Sequence, residues 1–237
     1  MKTGVRDFYG GSDPRLLPAY TIAEAAHYLR IPIPTLRSWV VGRYYPVKGG
    51  RRFFQPVIAL PRKSRYLLCF VNLVEAHVLD SIRSRVNVQL QKVRTGVAYL
   101  KKQFRDDHPL ADHLIETDSR DLFLRKFGQL INISQEGQLA LREVLDAYLQ
   151  RIERDDSGVA MRLYPFTRKR ELDEPRVVVI DPRISFGRPV LVGTGIPTAV
   201  IADRYKAGES IDDLARDYHR GRLEIEEAIR CELAEAA

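Results

Sequence analysis

"YTIAEAAHYLRIPIPTLRSWV", residues 20–40, carries two helix signals separated by a turn. Thr21 precedes apolar residues at Ile22, Ala25, Ala26 and Leu29, spaced as one face of a helix. Glu24 follows Thr21 by three residues, the spacing of a capping box, in which each side chain accepts from the other residue's backbone amide. "RIPIP" reads as a tight turn. Thr35–Val40 reads as a second short helix, with Pro34 near its first turn, where a missing N–H costs little. "YYPVKGGRRFF" (Tyr44–Phe54) then reads as a hairpin whose Gly49-Gly50 supplies positive φ angles for a two-residue turn. Helix, tight turn, helix and basic hairpin is the order of a winged helix-turn-helix, whose second helix fits a major groove about 12 Å wide.

Charge supports a nucleic-acid reading. Residues 20–65 hold nine Lys/Arg and one acid. Thr35, Arg37 and Ser38 on the second helix carry donors suited to base edges. Lys48, Arg51 and Arg52 cluster at the hairpin tip and are expected to neutralise phosphates, which makes affinity salt-dependent. Leu36, Trp39 and Val40 are read as core, and His27 as a satisfied histidine of the first helix. The pattern "Y-T-I-x-E-x-A", then "T-L-R-x-W" and a glycine-led basic wing, resembles the MerR-type winged helix-turn-helix over about residues 20–60. The resemblance implies DNA binding. Pro32 departs from it, standing where a capping Ser or Thr is usual, so an irregular helix start is expected.

The 237 residues suffice for one large domain or two to three small ones, and their net charge of +7 hides a split. Residues 1–105 carry 19 Lys/Arg and 5 Asp/Glu (+14), whereas residues 106–237 carry 19 and 26 (−7). This asymmetry suggests a polyanion-binding end and an end with another task. The longest apolar run is far short of the ~20 residues of a membrane span, and the N-terminus shows no signal-peptide core. Cys69 and Cys231 stand alone, without metal-ligand or disulfide-framework spacing. A reducing cytoplasm and no membrane partner are the expectation.

The expected domains are a tail (1–18), the winged helix-turn-helix with following helices (19–105), a middle α+β region (106–166), a polar linker (167–175) and a C-terminal trihelical unit (176–237). Asn72 and Glu75 read as an N-cap signal. Val86, Leu90, Val93, Val97, Leu100 and Phe104 form a narrow stripe that serves either a dimer seam or packing within the domain. "DLFLRKFGQLINIS" (Asp121–Ser134) reads as two strands broken near Gly128, Leu139–Ile152 as an amphipathic helix, and "VAMRLYPF" and "RVVVID" as strands. The middle region offers no usable motif and is assigned to scaffolding or dimerisation by elimination.

"GRPVLVGTGIPTAVIADRYKAGESIDDLARDY" (Gly187–Tyr218) invites a phosphate-loop reading, but it lacks a third spaced glycine and no G-K-[ST] follows. Helices are expected over about Thr198–Ala207, Ser210–Tyr218 and Leu223–Glu235, a homeodomain-like unit. Residues 209–235 hold nine acids and four Arg, a charge of −5 that disfavours phosphate contact and favours a protein partner. Exposed residues near Arg204, Asp212, Asp213, Asp217, Glu224 and Glu227 are the candidate contacts. "ISFGRPVLVGTGIPTAVIADRYKAGESIDDLARDY…LEIEEAIRCELA" resembles a small antitoxin domain long catalogued only as a domain of unknown function, over about residues 176–236. Gly195 departs from the Arg usual there. The whole layout resembles the longer VapB-type antitoxins. That resemblance implies neutralisation of a cognate PIN-like ribonuclease toxin and repression of the shared operon through operator DNA.

The fold class expected is mainly α with small β elements, and a homodimer would address a repeated or palindromic operator. His108, Asp112 and His113 match no tight metal spacing, and no nucleophile motif appears. A non-enzymatic chain without cofactor or metal is expected. The alternative is a free-standing MerR-like regulator whose C-terminal domain senses a ligand or protein.

Overall fold

The structure, a computed structural model, describes residues 9–61, 66–86, 90–112, 121, 124–125, 128–129, 135–156, 158–168 and 174–233. Its first unit is α1 (Ile22–Leu29), α2 (Ile33–Val40) and the antiparallel hairpin β1 (Arg43–Val47) and β2 (Gly50–Phe54). The Thr21–Glu24 capping box is formed in both directions. α2 starts two residues before the expected position. Pro32 is its N-cap without a side-chain cap, and Pro34 occupies its first turn. Both prolines sit where a helix has no use for an N–H. Val47 pairs with Gly50, so the tight turn is Lys48-Gly49, one residue earlier than the glycine pair suggests.

Behind this unit lie α3 (Phe70–Val86), α4 (Leu90–Phe104), α5 (Pro109–Asp112) and α6 (Gln135–Leu149). Residues 70–82 of α3 are buried on every side, which accounts for the lack of a clean apolar stripe there. Several of its polar residues are bonded inside. Asn72 donates to the Ala59 carbonyl, Ser81 to Val78, and Asp80 accepts from the Tyr148 hydroxyl. Asn72 is not the N-cap of this helix. It sits in the first turn and its side-chain oxygen accepts from the Cys69 amide. Val93, Val97 and Leu100 of the narrow stripe are buried in the chain's own core. Val86 and Leu90 side chains lie outside the described set.

The strands β3 (Ile152–Arg154), β4 (Ala160–Leu163), β5 (Val178–Val179) and β6 (Val190–Leu191) form two antiparallel pairs, β3-β4 and β5-β6, joined by a bridge from Leu163 to Ile180. The bridge carries the main core up to Ile180. Beyond it, α7 (Thr198–Lys206), α8 (Ile211–Tyr218) and α9 (Arg222–Leu233) enclose a small second core of Leu191, Ile201, Leu214, Ile225, Ala228 and Ile229. The molecule is mainly helical with small antiparallel sheets.

Three expectations change. Of the stretch read as two strands, residues 121, 124–125 and 128–129 are helical, and its other residues lie outside the described set. Its Leu, Phe and Ile content fits either element, and the short apolar runs hide the period. Residues 9–18 of the expected tail fold as a 3-10 turn at Pro14–Leu16, and the Tyr9 hydroxyl donates to Pro182 O at 3.0 Å. Thr167 and Glu174, at the ends of the expected linker, are buried polar residues rather than solvated ones. Residues 169–173 lie outside the description.

Candidate nucleic-acid interface and C-terminal partner surface

The second helix of the front unit presents few side chains outward. Leu36 and Trp39 are fully buried, and the Trp39 carbonyl accepts from the Val57 and Ile58 amides at 2.8 and 3.1 Å. That pair of bonds pins the chain leaving the wing to α2. Arg37 is exposed and Thr35 half-buried. Ser38 is only 5% exposed, and its hydroxyl donates to Thr35 O at 2.7 Å. Ser38 therefore faces the core and has its donor spent, which removes it from the expected base contacts. The helical wheel explains this: Ser38 lies beside Trp39 on the buried arc, one residue from Arg37 on the exposed one.

The wing extends into solvent. Lys48, Arg51 and Arg52 are exposed, as is Arg43 at its base. Tyr44 and Phe53 are directly opposed across the ladder, with ring centroids 4.9 Å apart, and both remain exposed (67% and 38%). Phe54 turns inward under the guanidinium of Arg94, 4.5 Å from the ring centroid. From Ala25 to Arg105 the sequence holds sixteen Lys/Arg and only two acids, Glu75 and Asp80. Both acids are buried (1% and 7% exposed). Residues 25–105, where described, thus expose no carboxylate of their own to compete with a polyanion, and Glu24 just before them is paired with Arg188. This feature went unread in the sequence because charge counting does not separate buried acids from exposed ones.

Glu75 belongs to an internal cluster. Its Oε2 lies 3.0 Å from His108 Nδ1 and accepts from Asn72, while its Oε1 has no hydrogen-bond partner. Burial raises the Glu75 pKa, and the bond to Glu75 raises that of His108. Cys69 is pushed up to about 11 and Cys231 to about 12, both by burial, so neither is a ready nucleophile or ligand. Among the described residues no group of three or more His, Cys, Asp or Glu is placed to hold a metal. His113 and the Asp112 side chain lie outside that set.

In the C-terminal unit the glycine loop spends its own amides. Leu191 N donates to Ile196 O, Thr194 N to Leu191 O, and Ile196 N to the Thr194 hydroxyl. A phosphate cradle needs those amides free. Gly193 has φ +72°, whereas Gly195 has an ordinary φ and open space where a Cβ would stand. The position therefore accepts a large side chain, in accord with the Arg usual in the resembling domains.

Asp212, Asp213 and Asp217 are exposed and Arg204 and Glu224 half-buried. All five hold intramolecular partners: Asp212 with Arg222, Asp213 with Arg216, Arg204 with Glu209 and Asp217, Glu224 with Arg220. Arg204 also lies over the Tyr218 ring at 5.1 Å. Glu227 is a different case. It is 0% exposed, accepts from the Thr167 hydroxyl, and pairs with Arg168 at 2.7 Å and Arg230 at 2.5 Å. It is a structural acid and cannot be a surface contact.

Glu227 lies near a joint between the two ends of the chain. Arg30 caps α1 in the left-handed conformation (φ 54°), and its guanidinium donates to the carbonyls of Thr167, Arg168 (2.7 Å) and Arg230 (3.0 Å). Arg188 pairs with Glu24 and reaches the Tyr28 hydroxyl. The buried Tyr20 hydroxyl donates to Gly187 O at 3.0 Å. The first helix of the front unit is thus clamped onto the C-terminal unit.

Residues 18–97 match the family described as "Putative DNA-binding HTH domain", and residues 178–230 match a family described as a protein of unknown function, DUF433. "Putative antitoxin VapB45" of Mycobacterium tuberculosis (strain ATCC 25618 / H37Rv) is 32% identical over 219 residues, 85% of this chain and 88% of that one. The chain belongs to the VapB45 family. A second relative in the same strain, "Uncharacterized protein Rv2308", is 26% identical over 89% of this chain and 88% of its own. The crystal structure of Rv2018 from M. tuberculosis superposes with a TM-score of 0.65 at 27% identity, covering 90% of this chain and 98% of that one. Both matched regions are thus present in one clamped molecule. Among the described residues no helix is long and apolar enough to cross a membrane.

Proposed function

We propose that this chain is an antitoxin that binds operator DNA through its N-terminal unit and a toxin through its acidic C-terminal unit. The observation that carries the DNA half is the outward surface of residues 25–105, rich in Lys/Arg, with both of its acids buried. Arg37 is the base-reading candidate, with Thr35 beside it. Lys48, Arg51 and Arg52 contact phosphates. The toxin half rests on kinship with a protein named as an antitoxin and on the surface acids Asp212, Asp213 and Asp217. A toxin with a positively charged nucleic-acid groove suits such a surface. The resemblance to VapB-type chains gives the finer reading, a PIN-like ribonuclease as partner and repression of the shared operon by a homodimer.

The test is purification of the full-length tagged chain from its host at mild salt, followed by mass spectrometry and by DNA binding to the segment upstream of its gene. A stoichiometric small nuclease together with salt-sensitive, sequence-selective DNA binding is expected. Recovery of DNA binding with no protein partner would favour a solitary regulator. Absence of DNA binding would remove the operator role. The full chain is required because α1 is held by the C-terminal unit.

A further inference from the structure

We propose that the cleft at the root of the wing binds a small organic anion with a flat apolar body. One wall is the segment leaving β2, with Pro56 and Val57, and the other is α4, with Arg94, Thr95, Ala98 and Lys101. The cleft is open to solvent and has a volume of roughly 450 Å³, within the range of small-molecule sites. Arg94 and Lys101 are two helical turns apart, roughly 10 Å along α4. The small residues Thr95 and Ala98 between them are exposed, which leaves the floor open.

Charge and shape together select the occupant. Neither Arg94 nor Lys101 makes an ion pair among the described residues, and no carboxylate lines the cleft. The Arg94 guanidinium lies over Phe54, a contact that uses its face and leaves its in-plane N–H groups as donors. Val57 is fixed because its amide is held by Trp39 O. The result is an open cleft whose lining is about equally polar and apolar, with a cation toward each end of its α4 side. A phosphorylated or carboxylated aromatic molecule meets both demands. Because Arg94 rests on the wing strand, an occupant is expected to alter how the wing meets DNA. That linkage rests on the DNA-binding reading, whereas occupancy itself does not.

The experiment titrates the full chain with anilinonaphthalene sulfonate, a naphthyl body carrying one anionic group, and follows its fluorescence. Wild type is compared with Lys101→Ala, Ala98→Trp and the wing-tip variant Arg51→Ala. Saturable binding of one dye per chain is expected, displaced by adenosine monophosphate. Lys101→Ala and Ala98→Trp should each weaken it about ten-fold or more, from loss of a charge-assisted contact or of space. Arg51→Ala should leave it unchanged. Thermal melts that overlay with wild type show that the variants fold, and the two variants fail by independent means. Absence of saturable dye binding, or unchanged titrations in both variants, would overturn the proposal. So would loss of duplex binding in Lys101→Ala without any dye site, which would assign the cleft to the DNA backbone. Failure of the DNA reading shows separately, as absent duplex binding with the dye titration intact.

Discussion

Arg37 stands exposed on α2, and Lys48, Arg51 and Arg52 at the wing tip, so their removal should be distinguishable. Arg37→Ala is expected to cost ~1–3 kcal/mol on the cognate site and to relax sequence choice, if its guanidinium pairs with a base edge. Charge reversal at Lys48, Arg51 or Arg52 should weaken binding to all sequences and lower the salt slope by about one per lost phosphate contact. Fluorescence anisotropy on cognate and scrambled duplexes checks both, and a sequence-selective loss in a wing variant would contradict the assignment. The two glycines of the C-terminal unit also separate. Gly187 has φ +77° and a Cβ there would overlap the Tyr20 hydroxyl, whereas Gly195 has open space. Gly187→Ala should therefore destabilise by several kcal/mol, through strain and loss of the Tyr20 bond. Gly195→Arg should be near neutral in a chemical denaturation curve. Acidity offers a third check. Glu75 and His108 both have raised pKa values, so the native state holds protons more tightly than the unfolded chain. Their contribution to stability is complete below the unfolded values and is lost as the pH rises through the folded pKa of His108, above 6.5. Thermal melts across neutral pH should show that decline, and His108→Gln should flatten it. At this scale the sequence revealed residue types but not their facing. Arg37 and Ser38 are neighbours on one short helix, yet one is exposed and the other buried. Glu227 sits among the other acids of the same segment and, among the described ones, is the one that is buried.

Elements whose ends are written in local chemistry were legible. The Thr21–Glu24 box, the Ser210–Asp213 cap and the prolines before α2 and α7 each lie where the rules of helix termini place them. Elements defined only by tertiary burial were not. The helical residues near 121–129 carry apolar types that suit a strand equally well, whereas α3, enclosed and without a narrow stripe, was signalled by the cap pattern at Asn72 and Glu75 although it starts two residues earlier. Arg30 combines both cases. A left-handed arginine costs about 1–2 kcal/mol against glycine, and glycine is the usual choice at such a cap. Arginine is retained there because its side chain binds three carbonyls across the molecule. Arg30→Gly should thus improve the local cap but lose the joint, with a net cost of about 2–4 kcal/mol from the charge-assisted bonds. An isolated α1 peptide should show the opposite sign, slightly higher helix content for the arginine form being the result that would reverse the argument.

The whole molecule carries its charge as a gradient, +14 toward one end of the sequence and −7 toward the other. That gradient, the two helical ends and the mainly helical class were readable from composition and caps alone. The joint between the ends was not, because it depends on contacts between residues more than 130 positions apart, such as Arg30 with Thr167 and Arg188 with Glu24. The exposed ion pairs around α8 and α9 add little stability, since such pairs are each worth about 0–1 kcal/mol. DNA affinity should fall steeply between low and physiological salt, whereas the folded chain's melting temperature should move little over the same range. The clamp also bears on exchange between relatives. Tyr20, Glu24, Tyr28 and Arg30 on one side meet Thr167, Arg168, Gly187, Arg188 and Arg230 on the other. A chimera that grafts one relative's DNA-reading end onto another's partner-binding end must transplant both halves of this seam. Without matched halves, the two specificities are inherited together or not at all.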